Sequence, residues 1–137
     1  MTGAPIWVVA GVLKGSGDAW LMHRRPYAKA HGGLWEFPGG KVEHAEIPVK
    51  ALIRELREEL GIGVREADCE PVGFAEDAGS DVAQPIVILL YKISDWEGEP
   101  KALEGGAIEW CSSERIAALD KPPLDSLLAT QLFRRQA

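Results

Sequence analysis

Apolar residues recur along this chain with two different periods. From Ile6 to Leu13 the run IWVVAGVL is apolar and β-branched, which predicts a buried strand. Gly15-Ser16-Gly17-Asp18 is a turn signal, and Ala19 to Arg24 reads as the returning strand of a β-hairpin. Between residues 48 and 60 the period changes. Val49, Leu52, Ile53, Leu56 and Leu60 fall three or four apart and form one apolar stripe of a helix. Pro48 suits the first helical position, where no N–H is needed, and Gly61 suits a left-handed stop. Cys69 to Ala78 predicts a strand with a polar end, running into a turn over Glu76–Asp81. Pro85 to Ile93 (PIVILLYKI) is the most strongly apolar run and predicts a central strand. Asp95 to Gly106 is an acidic loop, too polar for core. Ala107 to Cys111 reads as a short strand, Ser112-Ser113-Glu114-Arg115 as a helix cap and its short helix, and Asp125 to Arg135 as a terminal helix with Leu124, Leu127, Leu128 and Leu132 inward. The expected class is α/β (α+β), a mixed sheet with helices on both faces.

Composition narrows the setting. A chain of 137 residues without repeat, linker or low-complexity segment suits a single domain, 1–137, with one sizeable core. The 15 basic and 21 acidic residues leave a net charge of −6, which argues against a binder of nucleic-acid polymers. A small phosphorylated partner remains open, because a bound cation inverts local charge. Cys69 and Cys111 lack metal spacing and read as buried or free thiols in a reducing compartment. The apolar runs are too short to span a membrane, and no signal-peptide pattern opens the chain. A cytoplasmic protein is the expectation.

Candidate chemistry concentrates on the predicted helix. Glu55, Glu58 and Glu59 stand at i, i+3 and i+4, so their carboxylates share an arc of about 100° bordering the apolar stripe. Such a cluster repels itself unless something positive sits within it, and hard cations such as Mg²⁺ take carboxylate oxygens. A Glu-rich helix also makes a solvated face with pairs such as Arg54–Glu58, and the helix alone does not separate the two. Upstream, Gly39-Gly40 allows close backbone approach to a ligand, and the Gly39 carbonyl offers another hard donor. Arg24-Arg25 ends the second strand. Arginine's fork suits phosphate or base oxygens, but the pair also suits a solvated tip. The loop Tyr27–Gly33 carries Lys29 and His31 without a clear assignment.

One combination is far more specific. Gly40, Glu46, Arg54, Glu55, Leu56, Glu58, Glu59, Gly61 and Ile62 stand in the register of the signature of the Nudix hydrolase family, which this chain resembles: Gly, five residues, Glu, seven residues, then Arg-Glu-(apolar)-x-Glu-Glu-x-Gly-(apolar). The stretch LWEFPGGKVE resembles the MutT-like subgroup of nucleoside triphosphate pyrophosphohydrolases, as do Trp96-Glu97-Gly98-Glu99-Pro100, Glu109-Trp110 and Pro122-Pro123. The resemblance implies an αβα sandwich and a nucleotide as partner. It also implies Mg²⁺ (or Mn²⁺) bridging a triphosphate to the glutamates, with in-line attack by water and no covalent nucleophile. On that reading Glu58, Glu59 and the Gly39 carbonyl hold metal, and Glu55 is a general base or further ligand. Arg54 orients a catalytic glutamate, and Glu104 assists metal binding or catalysis. Arg25, Phe37 and the Gly40 backbone meet the nucleotide.

Asp125 stands where MutT-like proteins carry an asparagine that reads an oxidised guanine. A carboxylate only accepts hydrogen bonds whereas an amide also donates, and Asp125 fits equally as an acidic residue at a helix start. The implied reaction is NTP + water → NMP + pyrophosphate, with 8-oxo-dGTP as the leading substrate and nucleotide-pool sanitation as the role. Other nucleoside diphosphate derivatives, or a silent nucleotide-binding module, are the alternatives. Ile47 departs from the pattern, since a capping Ser or Thr is usual there.

Overall fold

The structure is a computed structural model that describes residues 4–136. Two sheets share the core. The first holds four strands in the order β4 (Gly39–Lys41), β1 (Ile6–Leu13), β6 (Ile86–Ile93) and β5 (Cys69–Asp77). The second holds β3 (Trp35–Glu36), β2 (Trp20–Arg24) and β7 (Ala107–Cys111). The helices are α1 (Pro48–Leu60), α2 (Ser113–Ala118) and α3 (Pro123–Gln136). The first sheet is mixed: β1 runs parallel to β6 from Ile6↔Ile86 to Leu13↔Ile93, and antiparallel to β4. This is the mixed α+β architecture expected from the alternation of strand and helix patterns.

The apolar run of β1 is continuous because both of its faces are covered. Val9 and Leu13 pack with Leu52, Leu56 and Leu60 of α1. Ala10 and Val12 pack on the other side with Leu90, Leu128 and Leu132, the latter two from α3. Successive strand residues point to opposite faces, so one strand anchors both helical layers.

Three expectations are corrected. The predicted hairpin does not form: β1 and β2 belong to different sheets and share only the bridge Lys14↔Trp20 and the Gly15 N–H to Ala19 carbonyl bond of 2.7 Å. Both edges of β1 are taken by β4 and β6, and both edges of β2 by β3 and β7, so the chain crosses between sheets at the turn. Leu127 is not inward; it is 51% exposed, while Leu128 and Leu132 are buried. α3 lies against β5 on a stripe too narrow to include residue 127. The strand β5 also runs to Asp77, so the predicted turn begins only at Ala78.

The two ends of α1 differ in how they are closed. Ile47, the N-cap, is extended (φ −77, ψ 135) and makes no side-chain cap. At the other end Gly61 is left-handed (φ 73), and its N–H bonds the Arg57 carbonyl. Helix ends leave carbonyls unpaired. Here the acidic loop supplies the donors: Lys101 N–H bonds the Leu60 carbonyl and Leu103 N–H bonds the Glu59 carbonyl, each at 3.0 Å. That docking carries Glu104 to the carboxylate face of α1.

Candidate active site

The three helix glutamates lie at three depths. Glu58 is half exposed, Glu55 is intermediate and Glu59 is buried at 7% exposure. The gradient follows from their angles on α1, since Glu59 is nearest the apolar stripe. Arg54 is the positive charge among them. Its Nε and Nη2 donate to the two carboxylate oxygens of Glu46 (2.8 and 2.9 Å), its Nη1 to Glu55 Oε1 (2.9 Å) and Glu58 Oε2 (3.3 Å), and its Nη2 also to the Lys41 carbonyl. The i, i+4 ion pair and the orienting contact to Glu55 are therefore both present in one side chain. Arg54, followed by the Glu43 N–H, holds the Glu46 carboxyl down at about 2.

Glu55 is fixed from both sides. Arg54 takes one oxygen, and the other rests against the Gly40 backbone, where any Cβ would overlap the carboxylate. Burial raises the Glu55 pKa, Arg54 works against that, and Glu58 and Glu104 add to it. Burial also pushes Glu59 up; His23 opposes the shift, Glu36 adds to it, and the Gly39 N–H hydrogen bond opposes it.

A cavity of about 160 Å³ opens over these groups, lined by His23, Arg25, Pro26, Lys29, Glu36, Gly39, Glu55, Glu59 and Glu104. A larger cavity of about 570 Å³ lies elsewhere, between β5, β6 and α3, but Arg134 is the only charged group lining it. Convergent chemistry, not volume, marks the smaller one. It brings together Arg25, Gly39, Glu55, Glu59 and Glu104 of the residues expected from sequence. Glu58 stands outside its lining, on the exposed side of Arg54. Gly40 is also outside the lining and lies against the Glu55 carboxylate.

Phe37 and Asp125 are placed differently from the rest. The Phe37 side chain is 3% exposed and packs in the core beside α3; its backbone N–H donates to Asp125 Oδ1 at 3.2 Å. Asp125 is buried in the first turn of α3. Burial raises its carboxyl to about 7, the Phe37 N–H opposes this, and Glu36 and Arg25 are near enough to act on it in opposite directions.

Two residues of the cavity were missed by sequence reasoning. His23 and Glu36 face each other as paired residues of β2 and β3. His23 Nδ1 lies 3.2 Å from Glu36 Oε2 and 3.4 Å from Glu59 Oε1, and its Nε2 lies 3.1 Å from the Gly105 carbonyl oxygen. Burial opposes the charged imidazole, but Glu36, Glu59 and Gly105 together raise the His23 pKa. Arg25 Nη1 donates to Glu36 Oε1 at 3.0 Å and Nε to the Ala30 carbonyl at 2.7 Å. A histidine interrupting an otherwise apolar strand was the available signal.

The donor set suits a divalent cation. Several carboxylates and the Gly39 backbone line one cavity, and buried Glu59 Oε1 has no hydrogen-bond partner. Such an orphaned acceptor is costly unless a cation or proton meets it. Among the described residues no helix is long and apolar enough to cross a membrane.

Comparison with known proteins places the chain in a family. A model of the NUDIX domain matches residues 4–131. CTP pyrophosphohydrolase of Escherichia coli (strain K12) is 36% identical over 135 residues, covering 94% of this chain and 96% of that protein. 8-oxo-dGTP diphosphatase of the same strain is 33% identical over 131 residues, covering 93% and 95%. Among solved structures, the solution structure of the E. coli ORF135 protein superposes with a TM-score of 0.84 at 34% identity, covering 96% of this chain and 91% of that one. A structure from work on MutT of Aliivibrio salmonicida and Vibrio cholerae gives 0.75 at 28%, covering 96% and 99%.

Proposed function

The chain belongs to the Nudix family and is a pyrophosphohydrolase, and from that premise we propose that it cleaves nucleoside triphosphates, with a divalent cation, to the monophosphate and pyrophosphate. The observation that carries this reading is the convergence of Glu55, Glu59, Glu104 and Gly39 on one cavity that Arg25 and Lys29 also line. The cation, Mg²⁺ or Mn²⁺, would be held by Glu58, Glu59 and the Gly39 carbonyl, with Glu55 as general base or further ligand and Glu104 assisting. When bound it supplies positive charge to the phosphate oxygens and acidifies water.

The chain's own groups do the rest. Arg25 and Lys29 meet phosphate oxygens at the cavity rim. Arg54 keeps Glu55 Oε1 in place, leaving Oε2 to take a proton from the attacking water. A carboxyl held above its ordinary pKa by burial is a better acceptor for that proton than an ordinary one. The cavity is too small for a whole nucleotide, so the base must lie beyond its lining.

Oxidised purines such as 8-oxo-dGTP are the first substrate reading, supported by the relatives named for that activity. Cytidine nucleotides are the second. The relative named CTP pyrophosphohydrolase matches most of this chain, and a protonated Asp125 would present one donor and one acceptor to a base edge. Nucleotide-pool sanitation in the cytoplasm is the role that the first reading implies.

The test is pyrophosphate release with Mg²⁺ from 8-oxo-dGTP, dGTP, CTP and dCTP. Preference for 8-oxo-dGTP supports the first reading, and preference for CTP or dCTP the second. No release from any of them with either metal overturns the triphosphate assignment. Glu58→Gln is expected to lower turnover by ~100-fold or more with an unchanged circular dichroism spectrum, the scale on which single charge-stabilising groups act. A fully active Glu58→Gln protein would sink the cation assignment.

A further inference from the structure

We infer that His23, Glu36 and Glu59 form an inner cation site that takes a borderline transition ion such as Zn²⁺ through an imidazole nitrogen, beside the all-oxygen donors of Glu55 and Glu58. The inference deepens the proposed metal reading and shares Glu59 with it, but it concerns a different donor set and a different class of ion.

Hydrogen-bond capacity sets the first constraint. The Gly105 carbonyl oxygen only accepts, so His23 Nε2, 3.1 Å away, carries the hydrogen. The other ring nitrogen, Nδ1, then faces Glu36 Oε2 and Glu59 Oε1 at 3.2 and 3.4 Å. Ionised carboxylates also only accept. Three acceptor atoms thus meet at one point, all within 4.8 Å of one another. Only a proton or a cation can sit among them.

Spacing and surroundings suit the cation. Nitrogen and oxygen donors about 2.0–2.2 Å from one ion, at tetrahedral or octahedral angles, stand roughly 3.0–3.5 Å apart. The Glu59 side chain is nine-tenths buried, and its Oε1 has neither solvent nor a hydrogen-bond partner. Each donor residue is also fixed from behind: His23 by the Gly105 carbonyl, Glu36 by Arg25 at 3.0 Å, Glu59 by the Gly39 N–H. A ligating histidine almost always donates its second N–H in this way, and ligating carboxylates are themselves hydrogen-bonded.

The approach of the 104–106 loop belongs to the same arrangement. A Cβ at Gly106 would run into the Arg24 carbonyl and lie 3.2 Å from His23 Nε2, so glycine lets the loop reach the ring. The cavity gives the ion a way in. Imidazole favours zinc-like ions, whereas Mg²⁺ takes oxygen alone.

The chain has three histidines, His23, His31 and His44, which makes the site directly readable. The experiment is ¹⁵N NMR of the imidazole nitrogens of the whole protein at neutral pH, titrated with Zn²⁺ and separately with Mg²⁺. It is run on the native chain and on His31→Ala/His44→Ala, which leaves the site untouched. Zn²⁺ is expected to move one Nδ1 resonance to the metal-bound range in both proteins, with Mg²⁺ leaving it unmoved. By calorimetry, Zn²⁺ affinity should fall ~10-fold or more in His23→Gln. An Nδ1 that stays protonated in saturating Zn²⁺ means a buried ion triad and overturns the site, as does a metal-bound signal lost with His31 and His44. Pyrophosphate release with Mg²⁺ is assayed in parallel. Release without the zinc signal removes this site and leaves the proposed function, and the zinc signal without release does the reverse.

Discussion

Asp125 shows what the position of a single carboxyl can do. It is buried, accepts one N–H from Phe37, and titrates near 7 instead of 3.8. A carboxyl raised in the folded state binds its proton more tightly there than in the unfolded chain. Its destabilising effect is therefore absent below about pH 4, grows as pH rises toward 7, and is constant above. The full effect is on the order of 4 kcal/mol at one pKa unit per 1.36 kcal/mol. Asp125→Asn keeps an acceptor for Phe37 and removes the titration. Urea unfolding should find the variant more stable than the native protein by about 4 kcal/mol at pH 8 and by only about 1 kcal/mol at pH 4.5. An advantage of the same size at both pH values would show that burial of this carboxyl is not its source.

At the same scale, Glu55, Glu58 and Glu59 were legible because helical spacing is local. His23 and Glu36 were not, because the pairing of β2 with β3 joins residues 13 apart through a loop that carries no register signal.

At the scale of elements, α1 is the best-specified segment, and its one weak point lies at its start. Its bounds, proline start and left-handed glycine stop are all as expected from the period of its apolar residues. Strands β3 and β4 escaped because two and three residues are too few to show alternation. The hairpin between β1 and β2 was a wrong inference from adjacency, since the edges of both strands are taken by partners distant in sequence. Ile47 is exposed, extended and caps nothing. Ile47→Ser should add about 1 kcal/mol by bonding an orphan N–H, raising Tm by roughly 3–4 °C for a chain of this size. A thermal melt without a rise would mean that those N–H groups already have partners.

Just upstream, β4 lays Gly40 against Glu55. The φ of Gly40 is not positive, so Gly40→Ala acts through the new Cβ alone. It should displace the Glu55 carboxylate and lower kcat by ~100-fold, the cost of a displacement of about 1 Å at a reacting group. Unchanged kcat would mean that Glu55 does its work from another position.

For the whole molecule the governing fact is charge. The chain carries −6 overall. Folding draws Glu36, Glu55, Glu59 and Glu104 to one cavity, with Glu58 at its margin. Arg25, Lys29, Arg54 and His23 offset them only in part, as the unpartnered Glu59 Oε1 indicates. None of this crowding exists in the unfolded chain, so a cation bound there stabilises the fold by mass action. At ten times its Kd the gain is ~1.4 kcal/mol, or roughly 5 °C in Tm. MgCl₂ should therefore raise Tm by about that amount, and NaCl at matched ionic strength by much less, because screening weakens repulsion without filling the cavity. The magnesium increment should vanish in a Glu55→Gln/Glu59→Gln double variant. If NaCl reproduces the whole shift, or the double variant retains it, the glutamates are a screened surface and no cation site stabilises this fold.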